Sequence, residues 1–165
     1  MSGERPAATV IVPTRNHAAT VIACLDGLVD QRPPDGELEL LIVDAGSTDA
    51  TVAQVTAWLT RHIGCTARLL HGTDGSLAAA RNAGAAAAQG DLLLFIDADC
   101  TPAADWVATM CSSFADPAIV GVRGAIRTTQ RGLTPAFVQA EVDARALDYL
   151  AGHRVERGPR RAGAR

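Results

Sequence analysis

The sequence contains no lysine, and all 15 of its basic residues are arginines in a chain of 165 residues. Schiff-base catalysis on carbonyl substrates and the phosphate-binding Walker motif both require a lysine. The absence of lysine therefore excludes both classes of site. The formal net charge of -3 provides no overall attraction for nucleic acid, so nucleic acid is not an expected partner.

Cysteines and long apolar runs are also scarce. No signal-like or membrane-spanning run follows Arg5, which predicts a chain without a transmembrane segment and, by default, a cytoplasmic location. Peripheral contact with the inner face of a membrane stays open because the C-terminal tail is rich in arginine. The four cysteines lack the short paired spacing of zinc sites, so we expect buried reduced thiols at Cys24, Cys65, Cys100 and Cys111.

What is present is an alternation of strand and helix patterns in a chain that is 48% hydrophobic. The alternation predicts an α/β domain of three layers, α/β/α, with an open and mainly parallel sheet. We expect this domain to cover residues 1–151 and to be followed by a disordered, arginine-rich tail over 152–165. The predicted strands are 9–12, 38–43, 65–70, 91–96 and 118–127, and the predicted helices are 18–30, 50–62, 76–89, 102–114 and 135–150.

The fourth predicted strand ends in two carboxylates. Its five consecutive apolar residues, 92–96, indicate a strand buried on both faces. Asp97 and Asp99 follow, separated by the small Ala98, and in extended chain they project to the same side. Such a pair suits Mg²⁺ or Mn²⁺, which prefer carboxylate and phosphate oxygens. The alternative is a solvated acidic turn before the helix that begins near Pro102.

Ligands of open parallel sheets bind beyond the carboxyl ends of the strands, where the strand order reverses. Three loops of this chain occupy that edge, and they contain residues 14–16, Asp44 and residues 97–99. Folding does not require polar residues to gather there, so the edge is the expected ligand site.

Four motifs in these loops and the helix between them, taken together and in this order, resemble family 2 glycosyltransferases of the GT-A fold. Thr-Val-Ile-Val-Pro-Thr-Arg-Asn at 9–16 resembles the opening strand and loop of that family. Leu-Ile-Val-Asp-Ala-Gly-Ser-Thr-Asp at 41–49 resembles its second strand and turn. Arg81-Asn-Ala-Gly84 matches its Arg-Asn-x-Gly helix, and Asp97-Ala-Asp99 matches its D-x-D motif.

The resemblance implies a Rossmann-like domain that binds a UDP- or GDP-sugar together with Mg²⁺ or Mn²⁺. It implies that Thr14 and Asp44 contact the base and that Arg81 reaches the nucleotide. Asp97 would hold the ribose or the water shell of the metal, and Asp99 would ligate the metal itself. The expected donor-binding residues are Pro13, Thr14, Arg15, Asp44, Arg81 and Asp97, with Asp99 as the metal ligand.

Each assignment has a structural alternative. Asp44 is also a typical turn residue, and Asp49 suits a helix cap better than a ligand position. Arg15 would otherwise be a solvated loop cation, and Arg81 would lie on a solvated helix face. The four histidines are scattered and lack a metal-like partner in sequence: His17, His62, His71 and His153.

The chain departs from the family pattern in two places. Ala45 stands where many members have a second acid, which the assignment of the base contact to Asp44 tolerates. The acceptor half that follows residues 118–127 in the family is largely missing, so neither a catalytic base nor a Gln-x-x-Arg-Trp motif can be placed. The acids of the last predicted helix, Glu141, Asp143 and Asp148, match no family motif.

The resemblance implies a metal-dependent, inverting transfer of a sugar from a nucleoside diphosphate to an unidentified hydroxyl acceptor. Without the acceptor half, we expect donor binding with little transfer. The first alternative is a non-catalytic nucleotide-sugar-binding remnant. A sugar nucleotidyltransferase is the second, although that class uses a glycine-rich first loop and a lysine. A dinucleotide oxidoreductase is disfavoured because no G-x-G-x-x-G follows the first strand.

Overall fold

A computed structural model describes residues 5–72 and 75–128, which belong to two compact units, Met1–Ser112 and Ser113–Arg165. In the first unit, strands and helices alternate as the sequence predicts. The strands are β1 (Ala8–Thr14), β2 (Leu38–Asp44), β3 (Thr66–His71) and β4 (Leu92–Phe95). The helices are α1 (Val21–Val29), α2 (Thr51–Arg61), α3 (Leu77–Ala87) and α4 (Trp106–Ser112).

The described strands form one parallel sheet in the order β3-β2-β1-β4. The chain runs outward from β1 through β2 to β3 and then returns to the other side of β1 for β4. The strand order therefore reverses between β1 and β4, and this is where such sheets form a ligand crevice. In register, Thr14 at the end of β1 lies beside Asp44 at the end of β2.

Two hydrophobic layers cover the sheet. Because side chains alternate along a strand, Val10 and Val12 of β1 face one layer and Ile11 faces the other. The first layer is built by α1, α2 and α4, and it includes the fully buried Trp58. The second is built by α3 through Ala80. This arrangement confirms the predicted three-layer α/β/α architecture.

Burial of β4 differs from the prediction, which placed both of its faces inside. Leu94 is 2% exposed, whereas Leu93 and Phe95 on the other face are 40% and 45% exposed. The reason is position: β4 is an edge strand among those described, and α3 packs on β1 and β2 instead. The prediction of two buried faces is therefore wrong for β4.

The second unit also differs from the prediction over its described residues. It begins with a 3-10 turn, Ser113–Ala115, and no strand forms within residues 118–127. Residues that favour strands still need a neighbouring strand to bond their backbone groups, and the described residues of this unit contain no such strand. The predicted helix 135–150 and the predicted tail 152–165 lie outside the described residues.

Helix lengths bear on the membrane question as well. The longest described helices, α2 and α3, have 11 residues each. A membrane crossing needs about 20 apolar residues, and no helix in the described part of the chain meets that requirement.

Candidate functional site

The loops that follow β1 and β2 are joined side by side at the carboxyl edge of the sheet. Asn16 adopts a left-handed conformation with φ 57°, which asparagine tolerates better than most residues. Its backbone N–H donates to Ser47 Oγ at 2.9 Å, and its side-chain Oδ1 accepts from Thr48 N at 2.8 Å. Asn16 thus holds the two loops at a fixed separation.

Asp49 strengthens the same junction. Its carboxylate accepts from Ala18 N at 3.1 Å and from Thr51 N, the first residue of α2, at 2.9 Å. The Thr51 hydroxyl and then the Thr51 N–H lower the pKa of Asp49 below its usual value, so it is ionised at neutral pH. These bonds place Asp49 at the start of α2, as its structural alternative describes.

Asp44 is held by its own turn. Oδ2 accepts from Gly46 N at 3.1 Å and from Ser47 N at 3.1 Å, while Oδ1 accepts from the Ser47 hydroxyl. The residue is 4% exposed. Asp44 therefore acts as the turn residue that its structural alternative describes, and its contact with a base stays a prediction.

His17 is a residue of this edge that sequence reasoning passed over. Its Nδ1 lies 3.2 Å from Arg15 N and 3.4 Å from Thr14 Oγ1. Both Pro13 and Thr14 are buried in the structure, so the donor contacts expected of them stay predictions. The available signal was local, since His17 directly follows the Pro-Thr-Arg-Asn motif.

Arg15 extends across the edge towards the loop after β3. Its side chain is exposed, and Nη1 donates to the carbonyl oxygen of Gly75 at 2.5 Å. Gly75 has φ 70°, a conformation that glycine adopts without strain. Arg15 therefore bridges from the loop after β1 to the loop after β3.

Arg81 of α3 forms an ion pair with Asp97, which follows β4. The two side chains are 38% and 57% exposed. Exposed ion pairs contribute only about 0–1 kcal/mol to stability. The structure therefore brings together two of the predicted site residues in a contact that adds little to stability.

The D-x-D turn (residues 97–99) is anchored at its centre and open at both sides. Ala98 is fully buried, whereas Asp97 and Asp99 are exposed, as their spacing predicts. A hydrogen bond from Cys100 N to the carbonyl of Asp97, 2.9 Å long, closes the turn.

The donor set of this turn suits a hard divalent cation. Within the described residues, Asp97 has Arg81 as its ionic partner and Asp99 has none. That same part of the chain holds no cluster of three or more histidine, cysteine or acidic ligands. A protein that offers one or two carboxylates and leaves the other positions to phosphate and water matches the preference of Mg²⁺ and Mn²⁺.

The Cys24 thiol lies against this turn, 3.8 Å from the carbonyl oxygen of Asp97. All four cysteines are free; Cys24 is buried as expected, and Cys65, Cys100 and Cys111 are only half-buried. Burial raises the pKa of the Cys24 thiol to about 12, and Cys100, Asp99 and Asp97 add to the shift. Cys24 therefore stays protonated and packs as a small apolar residue.

Comparison with known proteins identifies relatives of this chain. The model of Glycosyl transferase family 2 matches residues 9–153. Glycosyltransferase AglE of Haloferax volcanii is 30% identical over 129 residues, which cover 78% of this chain and 42% of AglE. An N-acetylglucosaminyltransferase of Rhizobium meliloti is 34% identical over 131 residues, which cover 78% of this chain and 30% of that enzyme. The chain spans less than half the length of both relatives.

Solved structures show the same relationship. The mannosyltransferase PcManGT from Pyrobaculum calidifontis, in complex with GDP-Man and Mn²⁺, superposes with a TM-score of 0.64 at 35% identity, covering 78% of this chain and 36% of that one. S. aureus TarS 1-349 in complex with UDP-GlcNAc gives a TM-score of 0.55 at 23% identity, covering 76% and 36%. The likeness to TarS shows the fold alone. These neighbours have the GT-A fold, as the first unit does.

Proposed function

Since the chain belongs to glycosyl transferase family 2, we propose that it binds a nucleotide-sugar donor at the carboxyl edge of its sheet. The reaction it serves is an inverting transfer of the sugar from a nucleoside diphosphate to a hydroxyl acceptor. The observation that carries the proposal is the pairing of Arg81 with Asp97 beside the exposed Asp99. This group lies at the end of β4, next to the reversal of strand order.

Arg81 is the residue that binds the diphosphate. A guanidinium presents a planar fork of donors that matches phosphate oxygens, and it stays charged at every relevant pH. Because its pairing with Asp97 is partly exposed, exchanging one carboxylate oxygen for phosphate oxygens costs little. Asp97 is then free to accept from a ribose hydroxyl or from water.

Asp99, with Asp97 beside it, holds a divalent cation in this proposal. The exposed carboxylate without an ionic partner in the described chain supports this role. When bound, Mg²⁺ or Mn²⁺ neutralises the charge that develops on the departing nucleoside diphosphate. The Mn²⁺ in the mannosyltransferase complex, at 35% identity, supports the choice of metal.

The loops after β1 and β2 form the part of the proposed site that binds the nucleobase. Asp44 accepts from three donors of its own turn, Gly46 N, Ser47 N and the Ser47 hydroxyl. A carboxylate has about four lone-pair sites, so in this proposal one ring N–H of the nucleobase is the fourth donor. The bonds of Asn16 to the second loop keep Asp44 and Arg15 in place before the donor arrives. Such preorganisation reduces the entropy lost on binding.

Calorimetric titration tests the proposal directly. The chain is titrated with UDP, GDP, UDP-N-acetylglucosamine and GDP-mannose, each in Mn²⁺, Mg²⁺ and EDTA. We expect one nucleotide series to bind, and to bind more tightly with metal than with EDTA. Failure of all four compounds to bind would overturn the donor site, and equal affinities with and without metal would overturn the metal role.

A further inference from the structure

One face of α1 packs against the segment that carries the D-x-D turn. Cys24, Gly27 and Gln31 are spaced by three and four residues, so they lie on the same side of the helix and its C-terminal extension. The Cys24 thiol is directed at the carbonyl oxygen of Asp97 at 3.8 Å. Gly27 and Gln31 contact the residues that come after the turn. Together the three residues pack along residues 97–107.

Gln31 makes the most specific of these contacts. Its Nε2 donates to Ala103 O at 2.6 Å and to Gly27 O at 3.1 Å, and its Oε1 accepts from Val107 N at 2.9 Å. The residue is 3% exposed, so these bonds are shielded from water. Every donor and acceptor of the side-chain amide thus has a partner.

The amide of Gln31 occupies the place of a helical hydrogen bond. In a helix that starts after Pro102, Val107 N would donate to Ala103 O, four residues earlier. Gln31 bonds both groups, Ala103 O also accepts from Trp106 N at 3.0 Å in a tighter turn, and α4 begins only at Trp106. This bridge explains why the predicted helix start near Pro102 is four residues too early.

Gly27 adds a steric contact to the same segment. A Cβ atom at Gly27 would lie 2.9 Å from Pro102 Cδ and 3.1 Å from Pro102 Cγ. The pyrrolidine ring is rigid, so it cannot turn away as a flexible side chain would. Only glycine lets the chain pass α1 at this distance.

We propose that Gln31, supported by Gly27, is a positioning residue for Asp99. Between Asp99 and Ala103 the chain has only three residues, one of them Pro102. The backbone of Asp99 can therefore move only a short distance relative to that of Ala103. A fixed Ala103 therefore limits where the Asp99 carboxylate can lie. This inference rests on the proposed function, because it gives the positioned carboxylate its role as a metal ligand.

The test compares metal-dependent nucleotide binding in Gln31→Met and Gly27→Ala. Methionine retains the length of glutamine but lacks the NH₂ and carbonyl groups of its amide. The Cβ atom of alanine at position 27 displaces Pro102. For each variant, the Kd of the nucleotide that binds is measured in Mn²⁺ and in EDTA. Loss of a group that orients a metal ligand typically weakens metal affinity about 10–100-fold. We expect the ratio of the Kd in EDTA to the Kd in Mn²⁺ to fall about tenfold. The Kd in Mn²⁺ should rise, while the Kd in EDTA stays nearly unchanged.

Trp58→Phe is the matched control. Trp58 is buried in the same layer and donates to Asp26 of α1 at 2.8 Å, and none of its described hydrogen bonds joins residues 97–107. The variant should lose stability and retain the full Mn²⁺ effect. A general loss of stability therefore cannot imitate the expected change in ratio.

The outcomes separate the inference from the proposed function. An unchanged ratio in both α1 variants, with a clear Mn²⁺ effect in the wild type, would overturn the positioning role alone. If the wild type shows no Mn²⁺ effect, the metal role fails, and hydrogen exchange at the amides of residues 98–100 decides whether the turn is positioned. Faster exchange in Gln31→Met than in Trp58→Phe would support positioning, and equal exchange would overturn it.

Discussion

Gly84 of α3 lies against Ile11 of β1 so closely that a Cβ atom at Gly84 would be 2.5 Å from Ile11 Cγ2. The same atom would be 3.2 Å from Val43 Cγ2 of β2. This contact sets the depth at which α3 packs on the sheet. Arg81 lies one turn earlier on α3, so the glycine also sets the reach of Arg81 to Asp97.

Replacing Gly84 with alanine should lower both stability and nucleotide affinity. Alanine gains about 1 kcal/mol of helix propensity over glycine, but overpacking a core contact costs about 1–3 kcal/mol. With the branched side chains of Ile11 and Val43 in the way, we expect the steric cost to dominate in urea denaturation. Gly64→Ala is the control because nothing lies within 4 Å of its added Cβ atom. A Gly84→Ala chain as stable as Gly64→Ala would contradict the close approach.

Arg81→Gln should weaken nucleotide binding without affecting the fold. Hydrogen bonds to charged groups contribute about 1.5–3 kcal/mol, which corresponds to a loss of about 10–100-fold in affinity. The melting temperature should barely change, since the pair with Asp97 is exposed. Arg61→Gln removes the same charge from the last turn of α2 and should bind normally. Equal affinities of the two variants in calorimetry would refute the role of Arg81.

Asp99→Ala should abolish the difference between nucleotide binding in Mn²⁺ and in EDTA. A well-placed electrostatic contact in comparable sites is worth about 2–4 kcal/mol. Asp91→Ala is the charge-matched control because Asp91 is exposed and precedes β4, at the other end of the strand from the D-x-D turn. If the metal effect persists in Asp99→Ala, another residue must hold the cation.

Glu39 is a buried carboxylate at the opposite end of the sheet. Its side chain is 1% exposed and accepts from Thr9 Oγ1 at 2.7 Å, Gln89 N at 2.9 Å and Arg68 Nη2 at 2.7 Å. Burial acts to raise its pKa, but the bonds from Gln89, Thr9 and Arg68 outweigh burial and lower the pKa below 4.5.

The direction of this shift predicts an acid-sensitive fold. A carboxylate whose folded pKa is depressed stabilises the protein above its unfolded pKa, and that stability is lost as pH falls through the folded value. Glu39→Gln should therefore cost about 1–3 kcal/mol at neutral pH and reduce the loss of stability below pH 4.5. Asp49 has a lowered pKa as well, so some acid sensitivity should remain. Urea denaturation between pH 3 and pH 7, at about one-unit steps, measures both effects. If the free energy of unfolding changed with pH in the same way in Glu39→Gln and in the wild type, the role of Glu39 would be contradicted.

Much of the first unit could be predicted because its signals are local. A run of β-branched and apolar residues indicates a strand wherever it occurs, and Ser76 caps α3 through a bond from Ala79 N only three residues away. The exposure of Asp97 and Asp99 on either side of the buried Ala98 likewise follows from spacing alone. Such features depend on neighbours in sequence.

The order of the strands, the one-sided burial of β4 and the amide bridge of Gln31 were decided only by the tertiary structure. Gln31 precedes Ala103 by 72 residues, and no local pattern indicates that the two will meet. The predicted strand at 118–127 does not form for a related reason. A strand needs a partner for its backbone hydrogen bonds, and strand propensity alone does not supply one. The sequence by itself determined the elements and the edge where polar residues gather. Packing between distant residues determined which of those side chains touch.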